Sequence, residues 1–303
     1  MDVGFLTPLA QVAGPHTVNW KGDISPAVWM VGLGYLALLA IGVVADVFLV
    51  AHWVIHPISW RERVSRLVWR PWMERESSTL ILILMAFFML AVFVEPRLGD
   101  LAGPGSEGDR VPSVVLHSLA FHVAGLLLVV ISLRRRRLSW DSAFGLKARR
   151  VFKDIGTGIL FYLATMPFLW FYSLLYQIAL RMAGHEPTWQ EVAEALSGPN
   201  PLAIRIYLTF LAVLLAPLFE EVLFRGIGLP VLARKLGVAP AVVIMSALFA
   251  AIHFHVPSLV PLFVIAVSFS LAYIYTGSIL VPVVMHGMFN AINLGLMTVL
   301  RGN

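Results

Sequence analysis

The chain has 303 residues, of which 59% are hydrophobic and 13% charged, with a formal net charge of +5 and a mean hydropathy of +0.85. Soluble globular domains hold about 45 to 50% apolar and about 25% charged residues, so this composition excludes one and predicts an all-α, polytopic membrane protein. Cysteine is absent, which excludes disulfides, thiolate metal sites and a cysteine nucleophile, and the basic residues lie in short runs between apolar segments, which reads as a topology signal and not as nucleic-acid binding.

Met1 to Asp23 offers no basic n-region with an apolar run behind it, so the first apolar run is expected to act as an uncleaved span. In chain order the apolar runs are Val28 to Val50, Thr79 to Val94, Pro112 to Leu133, Ile155 to Leu180, Ile204 to Leu229, Val238 to Phe254, Leu259 to Tyr275 and Ile279 to Leu300, which predicts about eight transmembrane helices. Arg61, Arg63, Arg66, Arg70 and Arg75 fill the loop after the first run. Arg134 to Arg137, Lys147, Arg149, Arg150 and Lys153 follow the third, and the positive-inside rule places both loops in the cytoplasm. The alternate loops, 95–110 and 181–202, carry Glu95, Asp100, Glu107, Asp109, Glu186, Glu191 and Glu194 and are expected outside; Arg234 and Lys235 then fall inside. Two regions result: 1–150, with three spans and a basic segment, Ser139 to Lys153, expected along the inner interface, and 151–303, with five spans.

The fifth run contains Glu220, Glu221 and Arg225, three ionisable groups that are costly in a bilayer and rare there without a use. Glu221 and Arg225, at i and i+4, are expected to pair, leaving Glu220 free; neighbouring side chains diverge by about 100°, so the two glutamates are expected to face different partners. Pro217 cannot donate to the Val213 carbonyl, and a bend is expected there. Across the turn near Leu236-Gly237, His253 lies at the same distance as Glu220, with Phe249 one turn before it on the same face. In the last run His286 and Asn290, again i and i+4, point from one face at a similar depth. For Asn293, one turn further on, helix-to-helix hydrogen bonding is the expectation.

Two chemistries fit this set. Glu220 and His253 could draw a proton from a water that attacks a carbonyl while His286 and Asn290 hold the oxyanion, or Glu220, His253 and His286 could ligate zinc that activates the water. No His-Glu-x-x-His element is present and the ligands are spread over three spans, which favours the version without metal or other cofactor. A proton-coupled transporter using Asp46, His117 and His122 is a third reading, but no inverted repeat supports it.

Glu220-Glu221-x-x-x-Arg225, Phe249-x-x-x-His253 and His286-x-x-x-Asn290, in that order, resemble the three motifs of the CAAX protease and bacteriocin-processing family of intramembrane endopeptidases. The resemblance extends over Ile155 to Leu300 and includes Thr276 to Pro282. It implies an all-helical fold with a conical active-site cavity within the bilayer, Glu220 and His253 as activators of water, His286 and Asn290 as the oxyanion hole, and Glu221, Arg225 and Phe249 in support. The substrate so implied is a peptide or lipidated protein, processed at a CAAX-type C terminus or in peptide or bacteriocin maturation, with the plasma membrane as the expected location. A non-catalytic membrane scaffold or immunity protein is the alternative from another class.

Overall fold

In the computed structural model, residues 26–57, 59–70, 86, 122–185 and 201–301 are described, and among them helices and connecting turns account for the architecture with no strand. The elements are α1 (Pro26–Ile55), α2 (Trp60–Val68), α3 (122–135), α4 (Trp140–Phe144), α5 (Val151–Met182), α6 (Leu202–Leu236), α7 (Val238–Ala251), α8 (Leu259–Thr276) and α9 (Leu280–Arg301).

Among the described residues five stretches are long and apolar enough to cross a membrane: Trp29–Ile55, Ala148–Met182, Leu202–Leu236, Val256–Thr276 and Leu280–Thr298. The expected span at 238–254 is shorter, because the helix stops at Ala251, and the expected span at 79–94 and the start of that at 112–133 lie outside the described residues. Apolar side chains face outward along α1, with Val44, Val47 and Val54 all exposed, as a lipid-facing surface requires. The core is aromatic. Phe219 and Phe224 from α6, Phe249 from α7, and Phe269 and Tyr273 from α8 are all fully buried, together with Phe144 from α4. Leu67, Val129 and Leu133 belong to the same core, so the two regions of the chain pack as one hydrophobic unit.

Proline shapes how the long helices meet. Pro167 inside α5 cannot donate to the Leu163 carbonyl, and Gly42 of α1 lies against that carbonyl and the proline ring, where an added Cβ would clash with both. Close backbone approach through glycine is a common way for membrane helices to pack.

The segment expected along the inner interface folds differently. Ser139 and Ser142 form a capping box that starts α4, Gly145 ends it with φ 71°, and the single turn between them drives Ala143 and Phe144 into the core. Phe144 lies on Gly226, whose missing Cβ leaves room for the ring, and the Phe144 carbonyl accepts from Ile279 N–H at 3.0 Å. Phe152, by contrast, is 90% exposed, so the apolar residues of this stretch divide between core and surface.

The basic loops expected on one side of the membrane do gather at one end of the bundle. Arg63 of α2 donates to the Tyr275 carbonyl and lies over the Tyr275 ring, and Arg70 donates to the Gly277 carbonyl at 2.5 Å. Arg234 stacks near Trp69. The arginines thereby serve the carbonyl end of α8, where the helix dipole favours cations. At the opposite end, Tyr176 and Gln177 of α5 donate to the Val256 and Pro257 carbonyls in the loop between α7 and α8.

Candidate active site

α6 carries the centre of the site, and it departs from α geometry on both sides of the glutamates. Leu211–Leu215 and Val222–Gly228 are π-helical, with Ala216 N–H bonded to the Leu211 carbonyl and Leu229 N–H to that of Phe224. Between them a short α segment, Ala216–Glu221, presents Glu220 and Glu221. Wide turns of this kind are frequent at functional sites.

The Glu221 and Arg225 pair forms as its spacing requires: Arg225 Nη1 donates to Glu221 Oε1 at 2.8 Å, and both side chains are fully buried. Arg225 Nη2 donates to the Ala266 carbonyl of α8 at 3.1 Å, and the guanidinium lies 4.6 Å from the centre of the Phe249 ring and 5.2 Å from that of Phe269. A buried guanidinium needs this combination of carboxylate, carbonyl and ring faces, because each replaces part of its lost hydration.

His286 overturns the expectation that the two glutamates face different partners. Its Nδ1 donates to Glu221 Oε1 at 3.0 Å and its Nε2 lies 4.0 Å from Glu220 Oε2. One imidazole reaches both carboxylates because its nitrogens point to opposite sides of the ring. The gap on the Glu220 side exceeds a direct hydrogen bond and is of the size a bridging water spans. Glu220 is 15% exposed, and its Oε2 has no hydrogen-bond partner among the described residues.

His253 follows the end of α7 and its Nδ1 donates to the Phe249 carbonyl at 2.7 Å. The donation fixes the neutral tautomer, so Nε2 keeps its lone pair. Glu220 lies within electrostatic range of this ring. Phe249 holds the histidines in place: its ring centre is 5.0 Å from that of His253 and 5.6 Å from that of His286, which also stacks on Phe269 at 5.2 Å. His255 is half-buried with Nδ1 2.7 Å from Ser258 Oγ.

Asn290 Nδ2 donates to the Ala212 carbonyl at 2.7 Å, and Asn293 Nδ2 to the Phe289 carbonyl of its own helix at 2.8 Å. The glue role expected of Asn293 between helices thus falls to Asn290. The π segment closes with the Ala216 N–H on Leu211, so the Ala212 carbonyl that Asn290 reaches lies next to that of Val213, opposite Pro217. His122 of α3 lies edge-on to Phe219 at 5.6 Å, and Asp46 is half-buried on α1; His117 falls outside the described residues.

Among the described residues no three His, Cys, Asp or Glu side chains are grouped to hold an ion; His286 gives Nδ1 to Glu221, and its Nε2 lies 4.0 Å from Glu220.

Sequence reasoning did not single out Ala212, Ala266, Phe224 or Phe269. Pro217 was the available signal for Ala212, had a π register been considered. Ala266 and the two rings are ordinary residues of apolar spans, with nothing in the pattern to separate them from lipid-facing neighbours.

Membrane-length apolar helices, five among the described residues, packed around a buried ionic cluster define an integral membrane protein. Residues 202–292, from the start of α6 to the middle of α9, match the family described as Type II CAAX prenyl endopeptidase Rce1-like. This is a protease family, and the matched stretch contains Glu220, Glu221, Arg225, Phe249, His253, His286 and Asn290. No curated protein and no solved structure matches the chain.

Proposed function

We propose that the chain is an intramembrane endopeptidase in which Glu220 and His253 activate a water for attack on a peptide carbonyl. The observation that carries the reading is the state of Glu220: a largely buried carboxylate oxygen without a partner, beside two imidazoles, in a segment matched to a protease family. Buried polar groups are almost always satisfied, so an unpartnered one in a bilayer protein marks a place where a ligand or water belongs.

In this reading water loses its proton to Glu220 or to His253 Nε2 as its oxygen bonds to the carbonyl carbon. The proton then passes to the leaving amine as the C–N bond breaks, so the acid and base are regenerated. Asn290 Nδ2 has a second hydrogen beyond the one given to Ala212 and donates it to the developing oxyanion. His286 Nε2 donates there only as the doubly protonated ring, since Nδ1–H is held by Glu221. The Glu221 and Arg225 pair holds that ring, and no metal or other cofactor is required. A conical cavity, eight spans, a lipidated substrate and the plasma membrane belong to the same reading.

The test uses the full chain in lipid nanodiscs with two fluorescence-quenched peptides ending in Cys-a-a-X, one farnesylated and one not. Glu220→Gln is expected to abolish hydrolysis with unchanged thermal unfolding, and unaltered turnover in that variant refutes the assignment. Preference between the two peptides separates processing of prenylated proteins from other peptide maturation.

A further inference from the structure

Within α6 the π register at Leu211–Leu215 sends each N–H to the fifth residue back, as with Ala216 to Leu211. Carried on by one residue, that register pairs residue 217 with the Ala212 carbonyl, whereas the α register of Ala216–Glu221 pairs it with Val213. Residue 217 is proline and has no N–H, so it offers neither carbonyl a backbone donor inside the span. Asn290 Nδ2 takes the place of the missing N–H at 2.7 Å.

α9 comes close enough for this because of Gly287. A Cβ at that position would lie 2.7 Å from the Val213 carbonyl oxygen, so any larger residue pushes the helices apart. Gly287 and Asn290, three residues apart, meet the consecutive carbonyls of Val213 and Ala212. Further along the same antiparallel contact, His286 meets Glu221. Pro217 lies between these two attachments and Glu220 follows it by three residues. An amide with one hydrogen held on Ala212 keeps its second hydrogen at a set angle to the first, since the NH₂ group is planar.

We propose that Pro217 and Gly287 are positioning residues for hydrolysis: the missing N–H of Pro217 reserves the Ala212 carbonyl for Asn290, Gly287 admits the approach, and the resulting bond aims the second Asn290 hydrogen at the oxyanion. This rests on the reading of Asn290 as an oxyanion donor. Helix glue alone, the simpler role for such an asparagine, predicts that Pro217 matters only for stability.

Pro217→Ala separates the two, because it restores a competing N–H while giving up only the buried ring carbons of the proline. Steady-state hydrolysis of the farnesylated Cys-a-a-X peptide is followed with the full chain in nanodiscs. In the parent background kcat is expected to fall about tenfold to hundredfold, the range for misoriented groups, with KM unchanged within about twofold and the melting temperature not lowered. In an Asn290→Ala background Pro217→Ala is expected to have no further effect on kcat. Pro217→Leu, which restores the same N–H, repeats the measurement on a second side chain. Amide hydrogen exchange of the ¹⁵N-labelled Asn290 side chain gives a readout without substrate: one protected hydrogen in the parent, lost in both proline variants. An unchanged kcat in Pro217→Ala, or an equal fall with and without Asn290, overturns the proposal. A parent that hydrolyses neither peptide overturns the endopeptidase reading and the positioning role with it, while the exchange measurement still reports whether Pro217 frees the carbonyl for Asn290.

Discussion

Removing Arg225 tests the buried charge cluster most directly. Arg225→Met keeps the length and apolar stem but deletes the guanidinium that bonds Glu221 at 2.8 Å and the Ala266 carbonyl at 3.1 Å. Breaking a fully buried pair by losing one partner costs about 3 to 5 kcal/mol, because the remaining charge is left without compensation. Here Glu221 keeps His286 Nδ1 at 3.0 Å, which places the expected loss at the lower end, about 3 kcal/mol. Arg225→Lys keeps the charge but cannot bond Glu221 and Ala266 with one planar group or cover the Phe249 and Phe269 faces, and about 1 to 2 kcal/mol is expected. The assay is reversible unfolding in mixed micelles, with the double variant Glu221→Leu/Arg225→Met completing a cycle. That pair is expected to recover at least about 1.5 kcal/mol relative to the sum of the single changes, since neither charge is then orphaned. If Arg225→Met unfolds within about 0.5 kcal/mol of the parent, or the changes simply add, the cluster does not bear on stability and the reasoning fails.

Other positions give independent checks. Gly125 of α3 lies on the Phe219 ring, where an added Cβ would overlap three ring atoms, so Gly125→Ala is expected to cost about 1 to 3 kcal/mol and Phe219→Leu in the same chain to relieve part of it, by the same unfolding assay. Gly145 combines φ 71° with close approach to the Gly277 carbonyl; Gly145→Ala is expected to lower the melting temperature, and an unchanged value would show that α4 can shift away from the turn before α9. Phe249→Leu removes the ring between Arg225 and the two histidines, with an expected loss of more than about 1 kcal/mol in unfolding and a fall in kcat larger than the change in KM.

Apolar length was enough to locate most of the bundle. The runs at 155–180, 204–229, 259–275 and 279–300 became Val151–Met182, Leu202–Leu236, Leu259–Thr276 and Leu280–Arg301, because in a bilayer a long apolar run has few alternatives to a helix. The i, i+4 spacing of Glu221 and Arg225 likewise carried its own geometry. What could not be read were features without a local signature. A π turn leaves no period of its own in an apolar run, so the meeting of Asn290 with the Ala212 carbonyl is invisible until the register is seen. The reach of His286 across both glutamates depends on how α9 seats on α6, and that seating is set by Gly287, an unremarkable residue in isolation. Phe144 looked like an interfacial aromatic because its partner, Gly226, lies 82 positions along the chain and is recognisable only by the side chain it lacks.

The length of α7 bears on how a hydrolase inside a bilayer obtains its co-substrate. Fourteen residues rise about 21 Å, whereas the hydrocarbon layer is about 30 Å thick, so the helix ends about 9 Å short of a full crossing. The connecting loop at 252–258, tied to α5 by Tyr176 and Gln177, opens at that level with His253 at its start. A bilayer meeting so short an element thins or admits solvent at its end. In the proposed mechanism, the deficit in helix length shortens the distance over which water travels to reach the imidazole.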